Sequence, residues 1–322
     1  MKPALIIVAV LALFPWGQAQ DLRVREEAVR LLERANLVST APKLPNLERT
    51  DNFRVFTSNG GVREGTFSRL VIQGTGRRDD YHYGDYKLAS VWTHKQVAAA
   101  GGARIMPPDI VTMMRITPIY LVRFDDEDVI RQIIDRNVSG RAAHCIEFDT
   151  IAGETSHGNE LCVDAANGTL IYEKLKNEVV ENSEWFRFAG ALMPGKISYS
   201  FAGVPKMEIV QSLAPLSDTT PDVLAAPLNA QVHTFCRQFR RAFGLSMPQP
   251  KPGNGGMNTD VVVRGVIGLE GRVVDAVVEQ SDRPDLNPEA VSLVKQWVFT
   301  PAMCDGHPNA NEADFVLHFR GR

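Results

Sequence analysis

Four cysteines, Cys145, Cys162, Cys236 and Cys304, are the residues of this chain best suited to covalent chemistry. Four thiols allow three pairings, and their positions favour one of them. Cys145 lies in the strand-like run Arg141 to Thr150 and Cys162 in the run Glu160 to Val163. Residues 151–159 join the two runs, so a bridge across neighbouring strands is geometrically easy. That leaves Cys236, in a segment that reads as a helix, and Cys304, in the loop after Pro301-Ala302. A bridge between them would staple that segment onto the C-terminal region. A structural disulfide of this kind typically contributes ~2–4 kcal/mol. No Cys-x-x-Cys or mixed Cys/His spacing is present, so no metal site is expected.

Other chemistry is sparse. The histidines, His82, His94, His144, His157, His233, His307 and His318, contain no i,i+4 pair and no His-Glu-x-x-His. Gly74-Thr75-Gly76 lacks a third glycine in register and a following helix, so it is not a dinucleotide loop. No Gly-x-Ser-x-Gly elbow occurs. Asp125-Asp126-Glu127-Asp128 opens a run to Arg136 that reads as a short helix or turn. Acids there offset the helix dipole, and the run lacks the alternating ligands and sixth-position glycine of a calcium loop. The densest polar–aromatic patch, Arg77-Arg78-Asp79-Asp80-Tyr81-His82-Tyr83, reads as a solvated hairpin tip with self-paired charges. A ligand or partner surface is the alternative. With no nucleophile–base pair in view, the chain is expected not to be an enzyme and to carry no catalytic residue and no cofactor.

The elements that must position these groups follow from pattern. A hydrophobic content of 44% and a charged content of 23% are ordinary for a globular protein. A formal net charge of -3 argues against nucleic acid as a partner. Lys2, an apolar run from Ala4 to Phe14 and the small residues around Ala19 read as an export leader. Its apolar core of eleven residues falls short of the ~20 a spanning helix needs. Asp21 to Ser39 is expected to be a helix with Ala28, Leu31, Leu32 and Ala35 on its apolar face. About 150 residues of strand alternation follow, as in an antiparallel meander, with a helical insert near Pro107 to Thr117 and a tight hairpin at Asn167-Gly168. A Pro/Ser/Thr/Asp-rich stretch then marks a linker. Ala230 to Phe243 reads as a helix with Val232, Phe235, Phe239 and Phe243 on one face.

The last sixty residues have the clearest order. Val261 to Ile267 and Arg272 to Glu279 alternate around the turn Gly268-Leu269-Glu270-Gly271, as in a hairpin. Asn287-Pro288-Glu289 opens a helix carrying Ala290, Val291, Val294 and Trp297, and Phe315 to Phe319 closes as a strand.

Gly271-Arg272-Val273-Val274-Asp275, Leu286-Asn287-Pro288-Glu289-Ala290, Trp297-Val298-Phe299-Thr300-Pro301-Ala302 and Asp305-Gly306 resemble the C-terminal domain of TonB-type energy transducers, over residues about 255–322. The resemblance implies a periplasmic, non-catalytic β-β-α-β module in cell-envelope transport. Its last strand, here Asp314, Phe315, Val316, Leu317, His318 and Phe319, would bind an outer-membrane receptor or other envelope protein by strand addition. An edge covered by the Cys236 segment is the alternative. The family's lead into the domain is replaced here by Ser246-Met247-Pro248-Gln249-Pro250, and the linker is short, so force transmission is not implied. In architecture alone, the helix and long meander before the linker resemble LolA-like periplasmic carrier domains, which implies a possible lipid or other apolar ligand.

The expected fold is thus α+β. Residues 1–19 form the signal peptide, 21–212 an antiparallel β-rich domain with an N-terminal helix, 213–229 a linker, and 230–322 a TonB-like domain. The expected location is the periplasm, with an inner-membrane anchor if the leader is retained.

Overall fold

Strands dominate because most of the chain alternates apolar and polar residues. The computed structural model describes residues 22–102, 105–117, 122–151, 156–216, 221–250 and 258–320. The expected leader, residues 1–19, lies outside them. Among the described residues no helix is long and apolar enough to cross a membrane. The chain divides into two compact units, residues 1–38 with 121–176, and residues 39–120 with 177–322.

In the first unit, helix α1 (Leu22–Ser39) buries Ala28, Leu32 and Ala35. Their spacing of four and three residues puts them on one stripe. The stripe packs on Ile130, Ile146, Phe148, Leu161 and Val163. These side chains come from antiparallel strands Asp128–Val138, Arg141–Thr150 and Ser156–Asp164, which with Leu170–Leu175 are neighbours in chain order. Cys145 stands directly opposite Cys162 across the ladder, and the two are bonded. The turn before Leu170 is held by the Asp164 carboxylate, which accepts from the amides of Ala166 and Asn167.

The expected helix or turn from Asp125 to Arg136 is instead largely strand. Val129, Ile130, Ile133 and Ile134 are β-branched and suit a pleated surface. Ser139 and Gly140 both take left-handed φ, 50° and 86°, and fold the strand back onto Arg141–Thr150. Asp128 does cap, but as a turn residue: its carboxylate accepts from the Asp125 amide and the Thr150 hydroxyl.

In the second unit, nine antiparallel strands lie side by side. Their order is Gln231–Thr234, Gln96–Gly101, Tyr86–Thr93, Gly76–Tyr83, Val62–Ile72, Leu47–Phe56, Val204–Pro215, Lys196–Phe201 and Glu178–Ser183. Helix α2 (Pro108–Ile116), the expected insert, starts at a proline and buries Ile110 and Met113 completely. They pack among Phe53, Phe67, Tyr81 and Ile209.

The Arg77–Tyr83 patch is not a hairpin tip. It lies inside the Gly76–Tyr83 strand, and Tyr81 and Tyr83 point into the core. The charges are self-paired as expected: Arg69 and Arg77 hold buried Asp79, and Arg78 holds Asp80. By alternation Arg77, Asp79, Tyr81 and Tyr83 share one face, where Asp79 is buried beside its two arginines, while Arg78, Asp80 and His82 lie on the other.

The helix expected over Ala230 to Phe243 is absent. Three short strands replace it, Gln231–Thr234, Phe239–Arg240 and Phe243–Ser246. Each is claimed by a partner: Gln231–Thr234 by Gln96–Gly101, Phe239–Arg240 by Ala302–Cys304, and Phe243–Ser246 by Val298–Thr300. The Cys236–Cys304 disulfide fixes the segment, and Cys236 lies between two of these strands rather than in a helix. Val, Thr and Phe are weak helix formers, and distant pairing overrides their spacing. The expected linker also begins in strand, because Val204–Pro215 runs into it, and Pro221–Leu224 forms a 3-10 turn.

Candidate functional site

The C-terminal hairpin forms where the sequence places it, from Thr259–Ile267 and Val273–Ser281. Helix α3 (Asn287–Val294) follows, with Pro288 in its first turn and Ala290 and Val294 buried. The expected β-β-α-β order gains three short strands, Val298–Thr300, Ala302–Cys304 and His307–Asn309, before the last strand, Asn311–Phe319. Gly271 makes the turn compact: its φ is +74°, and a Cβ there would stand 1.9 Å from the Phe299 carbonyl oxygen. The Phe299 amide donates to the Gly271 carbonyl at 2.8 Å across the same gap.

The three long strands make one sheet in the order Val273–Ser281, Thr259–Ile267, Asn311–Phe319. One face packs on α3. Phe315, Leu317 and Phe319 from the last strand are buried there with Val261, Val263 and Trp297. Phe315 meets Trp297 edge-on at 5.2 Å and stacks on Phe299 at 5.5 Å. The opposite face carries Asp314, Val316 and His318, opposite Arg264, Val262 and Asp260. His318 Nδ1 lies 2.7 Å from Asp260. The six expected edge residues therefore share one strand but split between two faces.

Electrostatics concentrate on that second face. The Arg264 guanidinium is 3.2 Å from Glu279, 3.7 Å from Glu312 and 3.0 Å from Asp314. Burial pushes the Glu279 carboxyl up from its ordinary value; Arg264 opposes the shift and Asp314 adds to it. Glu312 is raised for the same reasons. It also lies near Tyr86, whose phenol burial pushes up to about 12. The sequence hid this cluster, because its four members come together only through strand register.

The two outer strands of the sheet differ. Asn311–Phe319 runs against Thr259–Ile267 for nine pairs without a register shift. Val273–Ser281 has two shifts: Val262 and Val263 face Gln280 and Val278, and Val266 and Ile267 face Asp275 and Val273. The extra residues, Glu279 and Val274, both belong to the outer strand. Bulges of this kind bend a strand and blunt its edge. Among the described residues Asn311–Phe319 has a strand neighbour on one side only. The Cys236 segment does not cover it, since that segment pairs elsewhere.

Residues 254–320 match the family model of the Gram-negative bacterial TonB protein C-terminal. The match spans the hairpin, α3 and the last strand. No curated protein sequence matches the chain significantly.

Among solved structures, a lipoprotein-sorting protein domain from Vibrio parahaemolyticus is 8% identical, with 62% of this chain and 97% of that chain covered and a TM-score of 0.40. A LolA superfamily protein from Nitrosomonas europaea is 11% identical, with 61% and 96% covered and a TM-score of 0.39. A DUF1329 family protein from Desulfovibrio piger is 11% identical, with 63% and 97% covered and a TM-score of 0.42.

Proposed function

We propose that the protein is a non-catalytic, periplasmic component of cell-envelope transport. Its TonB-like domain takes up an extended segment of an outer-membrane partner on the Asn311–Phe319 edge. The observation that carries this reading is the regular, one-sided strand beside a bulged opposite edge. An added strand draws its affinity from main-chain hydrogen bonds, so it needs a straight row of free N–H and C=O groups. Phe315, Leu317 and Phe319 anchor that row from below, while Asp314, Val316 and His318 remain beside an incoming chain.

Amide exchange tests it. In the free protein, alternate amides between Phe315 and Phe319 should exchange fast because they face outward. Peptides from the periplasmic N-termini of outer-membrane receptors should slow them. No slowing by any such peptide, or full protection in the free protein, would refute the reading.

A second reading, a carrier of a lipid or other apolar ligand in the β-rich domain, is favoured by one feature. The aromatic core face around Phe53, Phe67, Tyr81 and Tyr83 is closed by the short helix α2. Native mass spectrometry of protein from its host should then reveal a bound lipid, and a clean apo mass would count against it.

A further inference from the structure

Between Asp222 and Asp260 the chain has no carboxylate side chain, although its net charge is -3. Arg237, Arg240 and Arg241 fall in that stretch and are exposed. The Asp305 carboxylate accepts from the backbone amides of Arg237 and Gln238. Among the described residues, Arg240 and Arg241 have no acidic partner within salt-bridge distance. Interleaved with them are Phe239, Phe243 and Leu245, at 47%, 72% and 63% exposure, and Phe235, half-exposed with its ring stacked on Trp92.

That exposure is built in. The Cys236–Cys304 bridge pins the segment, the Phe243 amide donates to the Thr300 hydroxyl at 3.0 Å, and Trp297 Nε1 donates to the Pro248 carbonyl at 3.0 Å. A folding chain buries large apolar side chains when it can, and several left in water along one tethered segment mark a contact surface.

We propose that residues 235–245 dock the protein on an anionic phospholipid surface. Aromatic and aliphatic groups beside unpaired arginines are the composition that lies in a lipid interface: the apolar groups enter the acyl boundary and the guanidinia meet phosphates. A fluid layer moulds around Phe239, Phe243 and Leu245, whereas a folded partner needs a recess matched to them. A second copy of this chain would bring like charges face to face. The proposal is independent of strand addition, because Asn311–Phe319 is a different strand on a different sheet.

Flotation of the full chain with phosphatidylglycerol-containing vesicles, against vesicles of phosphatidylcholine alone, tests it. Binding to the anionic vesicles at low salt, weakened by added salt, is expected. Replacing Arg240 and Arg241 with glutamine should lower partitioning about fivefold per arginine, roughly 25-fold together. Phe243→Ser should weaken binding while leaving the salt dependence intact. All three side chains are exposed, so an unchanged urea midpoint checks that the variants fold. The proposal is overturned by equal binding to both vesicle types, by no flotation, by variants that bind like the wild type, by a concentration-dependent dimer lost in Phe243→Ser, or by binding only to an acidic apolar peptide.

Discussion

Replacing Gly271 with alanine tests how tightly the TonB-like domain closes on itself. Two penalties combine there. A left-handed φ of +74° costs alanine roughly 1–2 kcal/mol. The new Cβ would also stand 1.9 Å from the Phe299 carbonyl oxygen, so that strand must retreat by more than an ångström. Retreat breaks the bond from the Phe299 amide to the Gly271 carbonyl, worth about 1 kcal/mol net. It also loosens Phe299 from Phe315, a ring pair worth ~0.5–1.5 kcal/mol. The sum is about 2.5–4.5 kcal/mol. Gly306 supplies the control: its φ is +86°, and nothing lies within 4 Å of a Cβ built there. Gly306→Ala should therefore lose only the backbone part, about 1–2 kcal/mol. Urea unfolding of both variants, with the slope held common, gives the two values. Equal losses would refute the close approach, and with it the claim that the Gly271 turn supports the strand beneath Phe315.

Removing the Cys236–Cys304 bridge, which spans a separation of 68 residues, should cost about 4 kcal/mol in the loop-entropy picture. The Cys145–Cys162 bridge spans 17 and should cost about 3. Thermal unfolding of the two double-serine variants would rank them, and the reverse order would count against this account. Glu279 and Glu312 have raised carboxyl pKa values, so the folded state binds their protons more tightly than the unfolded chain does. Their contribution to stability is therefore present at low pH and declines as pH rises through the raised values. Arg264→Gln leaves the cluster's carboxylates without their cation, so its stability deficit should be larger at neutral pH than near pH 4; equal deficits would refute the coupling.

Where the sequence was legible, local pattern and final packing agreed. The stripe of Ala28, Leu32 and Ala35, the proline-led α2 and α3, and the Gly271 hairpin all follow from period and punctuation. The cross-strand pairing of Cys145 with Cys162 follows from two adjacent runs. Misreadings arose where two periods fit the same letters. Val232, Phe235, Phe239 and Phe243 are spaced as on a helix, yet they are exposed in or beside short strands held by partners far away in the chain. Asp125 to Asp128 looks like a helix start, but the β-branched residues after it decide for strand. The Arg264 cluster and the bulges at Glu279 and Val274 depend on register, which alternation alone leaves open.

The crimp in Val273–Ser281 bears on stoichiometry as well as on position. A small sheet with two straight borders can stack copy upon copy and grow into a filament. This one has a single regular border, so if a guest strand docks there as proposed, the bulged far side would give the next molecule no matching row to continue, and a one-to-one complex is expected.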